Sequence, residues 1–166
     1  MKTALIAAAF AGVLAASPAM AQDEAAATFT GPRVGVELGV IDDDFLGTDD
    51  ATYGINAGYD FDLGGAVVGV TGGYTGLFDD DGADLRELSL GGRIGAKVGA
   101  RTLAYGTIGY SNLDANGLGG SVDGVKFGVG LEHSFGNVYA NVETRYGNYE
   151  LGGELYQTAV GVGVRF

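Results

Sequence analysis

His133 is the only histidine of the 166-residue sequence, and Ser134 follows it. A histidine and a serine serve as general base and nucleophile in acyl transfer when their side chains meet. In extended chain, adjacent residues point to opposite faces, so this pair is not expected to act together. A second group is acidic: thirteen of the twenty-one Asp and Glu fall between the apolar segments, at Asp42, Asp43, Asp44, Asp49, Asp50, Asp79, Asp80, Asp81, Asp84, Asp114, Asp123, Glu150 and Glu154. Hard cations take carboxylate oxygens, which makes Asp79, Asp81 and Asp84 weak metal candidates. Aligning Gly82 with the invariant glycine of a calcium-binding loop puts Leu77 and Leu88 at the first and twelfth ligand positions, and neither can ligate. A solvated, self-repelling surface is expected instead, with no metal site. Gly128-Val129-Gly130 and Gly161-Val162-Gly163 lack the following helix that a dinucleotide loop requires. No cofactor and no enzymatic activity are expected.

The third charged group is the most orderly. Arg33, Glu37, Asp60, Glu87, Arg93, Lys97, Lys126, Glu132, Glu143, Arg145 and Arg165, six bases against five acids, all fall on one phase of a two-residue alternation. Their neighbours on that phase include many glycines, while the other phase is apolar. Eight segments carry this pattern, over residues 33–40, 53–61, 66–74, 87–98, 102–112, 125–135, 138–146 and 156–166. In the first, Val34, Val36, Leu38 and Val40 oppose Arg33, Gly35, Glu37 and Gly39, which is the period of a β-strand. The fifth is ambiguous, because Leu103 and Tyr105 favour one phase and Ile108 and Tyr110 the other.

Short connections are expected at 62–65, 99–101 and 136–137, and longer ones at 41–51, 78–84, 113–124 and 147–155. Alternating short and long connections between strands of about ten residues describe an all-β, eight-stranded antiparallel up-and-down transmembrane β-barrel. The aromatics of the apolar face support an outward, lipid-facing assignment. Tyr59, Phe61, Phe135 and Phe166 gather near the short turns, and Tyr53, Tyr74, Phe127, Tyr146 and Tyr156 near the long loops, as two interfacial girdles. Eight strands leave an interior just wide enough for side chains, which suits the glycine-rich phase. An isolated buried charge is expensive, so the ionic set is expected to pair with itself and plug the lumen.

The remaining composition agrees. Gly 32, Pro 2 and no Trp argue against helices. Cysteine is absent, so stability must come from closure of the sheet rather than from disulfides. Met1 and Lys2, the apolar run 4–16 and Ala19-Met20-Ala21 form a secretory signal peptide over 1–21, followed by a short segment at 22–28 and the barrel at 29–166. The formal charge of −12 becomes −13 once Lys2 leaves with the signal, and such a surface repels nucleic acid.

The last strand, Thr158-Ala159-Val160-Gly161-Val162-Gly163-Val164-Arg165-Phe166, looks like the terminal signal of outer-membrane barrels. With Tyr105-Gly106-Thr107-Ile108-Gly109-Tyr110 and Val142-Glu143-Thr144-Arg145-Tyr146, the chain resembles the opacity-like and OmpA-like eight-stranded barrels of Gram-negative bacteria, often labelled "porin family". The resemblance implies location in the outer membrane, contact with its lipids, and recognition of Tyr156, Val160, Val162, Val164 and Phe166 by the barrel assembly machinery. It also brings relatives of several kinds: adhesins, wall anchors, small pores and lipid enzymes. A wall-anchoring role is not expected, because the sequence stops at the last strand. The expected protein is a non-enzymatic monomer that presents acidic loops. A narrow pore is the alternative, and a lipid-modifying barrel or a soluble lipid carrier ranks below it.

Overall fold

The computed structural model describes residues 29–43, 48–78, 85–115, 120–150 and 153–166. Eight strands follow one another: β1 Gly31–Asp43, β2 Thr48–Asp62, β3 Ala66–Leu77, β4 Leu85–Lys97, β5 Thr102–Ala115, β6 Ser121–Phe135, β7 Val138–Tyr149 and β8 Glu154–Arg165. Each pairs antiparallel with the next. β1 also pairs with β8, from Arg33 opposite Arg165 to Asp42 opposite Tyr156, and this closes the barrel. Closure removes the unpaired strand edges that an open sheet would expose.

The turns at one end are tight, and local chemistry sets them. Gly64 and Gly136 take positive φ, 94° and 84°, which a side chain disfavours. The Asp62 carboxylate accepts the Gly64 amide at 2.9 Å and fixes the β2–β3 turn.

At the far end the structure corrects the expected boundaries. Much of what alternation assigned to long loops is strand: β1 runs on to Asp43, β2 begins at Thr48, β5 reaches Ala115, β6 begins at Ser121, and β7 reaches Tyr149. Asp42, Asp43, Asp49, Asp50, Asp114, Asp123 and Glu154 therefore sit on strands rather than in loops. The cause is an inversion of pattern. Beyond the outward aromatic ring, Ile41, Leu85, Leu113, Val122, Tyr149 and Leu155 turn inward as a buried apolar cluster, with Leu77 packed against it. The period of two continues while the polarity of its two faces exchanges.

Over the middle of the wall the usual globular order is reversed. Leu90 and Val129 are 69% and 68% exposed on the outside, whereas Asp60 and Glu87 are 0% and 1% exposed inside. The fifth strand keeps a single phase throughout. Leu103 and Tyr105 point inward and are buried, and Ile108 and Tyr110 point outward.

Candidate functional site

The interior is a column of side chains, built in layers from the short-turn end. Phe29, Val67, Leu103 and Tyr105 form an apolar floor. Above it Asp60 gathers three guanidinium groups. Arg93 binds it in bidentate fashion, Nε to Oδ1 at 3.0 Å and Nη2 to Oδ2 at 2.9 Å. Arg165 Nη1 reaches Oδ2 at 2.9 Å and Arg33 Nε lies 3.1 Å from the same oxygen. Glu132 takes the free arms of two of them, Arg93 Nη1 at 2.9 Å and Arg165 Nη2 at 2.8 Å. The Arg93 guanidinium also stacks 4.8 Å from the Tyr105 ring centroid, where the π face attracts a cation.

The next layer is centred on Arg145. Its Nη1 and Nη2 hold the two oxygens of Glu37 at 2.5 and 2.8 Å, and its Nε lies 3.1 Å from Glu143 Oε1. Glu143 accepts further bonds from Thr107 Oγ1 at 2.8 Å and the Tyr105 hydroxyl at 3.1 Å. Higher still, Lys126 Nζ sits 2.7 Å from Glu87 Oε1 and donates to Gln157 at 3.3 Å. Ser111 and the Tyr149 hydroxyl donate to the same Glu87 oxygen at 2.5 and 3.2 Å. The inverted apolar cluster lies over this layer. A cavity of about 70 Å³ remains between the middle layers, bordered by Arg33, Glu37, Arg93, Glu143 and Arg145 among others.

Ten of the eleven ionic residues singled out by alternation meet in these layers, five bases with five acids. Lys97 does not join them. Its Nζ pairs with Asp62 at 2.6 Å at the short-turn rim, where both are partly exposed. Asp62, Gln157, Ser111 and the inward tyrosines were missed, although each lies on the inward phase of its strand. Gln157, Ser111 and the tyrosines are neutral and carry no charge to mark them, while Asp62 stands where the alternation gives way to a turn.

Bulky interior rings require bare wall opposite them. A Cβ on Gly130 would lie 2.6 Å from the Tyr105 ring and 2.6 Å from the Val142 carbonyl oxygen. Tyr139 occupies the corresponding space at Gly163, and Tyr149 at Gly124 and Gly147.

Outside, aromatic pairs mark both rims: Tyr59 with Phe61 and His133 with Phe135 near the short turns, Tyr53 with Phe78 and Tyr146 with Tyr156 toward the far end. His133 is on the outer face, its Nδ1 2.9 Å from Thr102 Oγ1. Ser134 points inward and donates to the Gly136 carbonyl at 3.0 Å. The two side chains are thus on opposite sides of the wall. Tyr156, Val160, Val162, Val164 and Phe166 line the outer face of β8. Among the described residues no group of three or more His, Cys, Asp or Glu is placed to hold a metal ion. Asp79, Asp81 and Asp84, with Asp44 and Asp80, lie outside the described residues, as does the signal region.

The family described as outer membrane protein beta-barrel domain matches residues 6–166. The chain belongs to that family. No curated protein matches it. Among solved structures, the N-terminal barrel of Pseudomonas aeruginosa OprF is 19% identical, with a TM-score of 0.62 over 82% of this chain and 99% of that one. Ail of Yersinia pestis, in complex with the heparin analogue sucrose octasulfate, is 16% identical, with a TM-score of 0.57 over 82% and 97%. The outer membrane enzyme PagL is 16% identical, with a TM-score of 0.57 over 81% and 99%. At these identities the likeness is one of fold. For a member of this outer-membrane family, the exposed valines and leucines face lipid and the aromatic pairs stand at its two interfaces. The short turns then lie on the periplasmic side and the acidic strand ends on the outer side.

Proposed function

We propose that this barrel is a non-enzymatic, monomeric surface protein with a closed lumen, which strengthens the envelope and offers an acidic outer rim to its surroundings. The observation that carries this reading is the mutual pairing of the interior charges, five cations with five carboxylates, between apolar clusters at both ends. Each ion taken out of water costs several kcal/mol after relaxation, about what well-formed pairs return, so displaced side chains would be expensive to hold open. The outer rim carries Asp50, Asp114, Asp123, Glu150 and Glu154, which disfavours polyanions, including sulfated sugars of the kind bound to Ail. Nucleic acid is disfavoured for the same reason. An acyl-transfer role gains no support from His133 and Ser134, which the wall separates.

Residues 1–21 act in this proposal as the export signal, with 22–28 as the lead into the barrel. The outward β8 residues Tyr156 to Phe166 are offered to the assembly machinery. Planar-bilayer recording tests the closed lumen: a flat trace is expected, and stable conductance steps would replace this reading with the narrow pore. The cavity of about 70 Å³ among Arg33, Glu37 and Arg145 is the one observation that favours that second reading.

A further inference from the structure

The two apolar ends of the lumen are built differently. All the buried residues of the outer cluster, from Ile41 to Leu155, belong to strands, so the ladder fixes each of them. In the periplasmic cluster Val67, Leu103 and Tyr105 are strand residues, but Phe29 precedes β1. Its ring is wholly buried, and Lys97 Nζ and the Arg165 guanidinium stand 5.8 and 5.6 Å from its centroid. Among the described residues, the Phe29 amide donates to Asp62 at 3.3 Å and Thr30 Oγ1 to the Asp60 carbonyl at 3.1 Å. Gly31 turns the chain into the mouth with φ 96°, and a Cβ there would strike the Phe166 carbonyl oxygen.

We propose that Phe29 is a detachable cork: the periplasmic mouth is an aromatic-accepting niche whose occupant is the chain's own residue 29, just ahead of β1. A ring held by burial, two cations and hydrogen bonds outside the ladder can leave without breaking any pair of the β-ladder, which begins at Gly31. The outer cluster cannot open without disturbing strands. Local opening of this kind is drawn from segments with few ladder bonds. Withdrawal of Phe29 exposes Val67, Leu103 and the guanidinium of Arg165 to the periplasm, and makes that mouth the side from which the ionic column becomes accessible. The proposal rests on the closed-lumen reading.

Because the sequence has no cysteine, single-cysteine reporters answer without background. V67C reports the periplasmic cluster and L113C the outer one, each labelled in detergent with a charged methanethiosulfonate. With Phe29 in place both are expected to react slowly. F29A should speed V67C by roughly tenfold or more while leaving L113C unchanged, and F29L should fall between, as expected for local rather than global opening. The heat-dependent gel shift reports whether each variant forms a barrel. Should F29A lose the shift, T30V supplies a second measurement, since it removes the Thr30 hydroxyl bond to the Asp60 carbonyl and leaves both the ring and the Asp62 turn in place. Equal V67C rates with and without the cork in folded variants would overturn the proposal, as would equal acceleration of L113C. Fast labelling of both reporters with Phe29 present would instead overturn the closed lumen itself.

Discussion

Arg145 on β7 grips Glu37 on β1 with both guanidinium arms, at 2.5 and 2.8 Å, across a barrel in which those strands are separated by β8. The same guanidinium serves Glu143 two residues before it. One cation therefore balances two carboxylates, and the layer depends on it more than on either acid.

Replacing Arg145 with Ala strands both carboxylates, and the expected loss is about 3–5 kcal/mol, the range found when one partner of a buried pair is removed. Urea unfolding in lipid vesicles, followed by the gel shift, measures it. E37Q should cost less, since Glu143 still engages Arg145. A double variant E37Q/R145M that recovers part of the R145A loss would show that stranded charge, rather than lost packing, is responsible.

D60A removes the carboxylate shared by Arg33, Arg93 and Arg165, leaving Glu132 against three guanidinium groups. Its destabilisation should equal or exceed that of R145A in the same titration. A loss under about 1 kcal/mol would mean that water reaches this layer and screens it, as at an exposed pair.

Glycines on the two faces should respond differently to a methyl group. G130A forces the Tyr105 ring and the Val142 carbonyl apart, an overpacking expected to cost about 1–3 kcal/mol. At outward Gly106 the nearest atom is 3.6 Å away, so G106A should be neutral or slightly stabilising. Unfolding midpoints of the two variants, compared side by side, check the inside and outside assignment.

Spin labels test the same assignment by another route. Labels at Val36, Val129 and Val162, all exposed on the outer wall, should be relaxed by a lipid-soluble quencher. A label at Gln157, buried within the column, should not be.

H133A should leave folding and envelope lipid composition unchanged. His133 contacts Thr102 and Phe135 on the outer face, and nothing of the interior rests on it. Altered lipid A in cells carrying the variant would reopen an enzymatic role.

Strand number, phase and order were legible because hydrocarbon and a narrow interior impose opposite demands on alternate residues, as at Val34 and Glu37. Two places were harder, and for one reason. Leu103 and Tyr105 are apolar yet face inward because they complete the floor around Phe29. Ile41, Leu113 and Leu155 face inward because the strands there have risen beyond the bilayer, where water surrounds the wall and the interior becomes an ordinary apolar core. A rule that equates apolar with outward fails at both ends of the column. The pairing of Lys97 with Asp62 was hidden by a similar boundary, since it lies where the alternation gives way to a turn.

Closure through Arg33 opposite Arg165 has a kinetic meaning as well. The strand made first finds one of its two neighbours only in the strand made last, so contact order is high and folding slow. Until that meeting the nascent sheet has two sticky margins and must be shielded from other chains; afterwards it has none, and unfolding must begin by tearing the same seam.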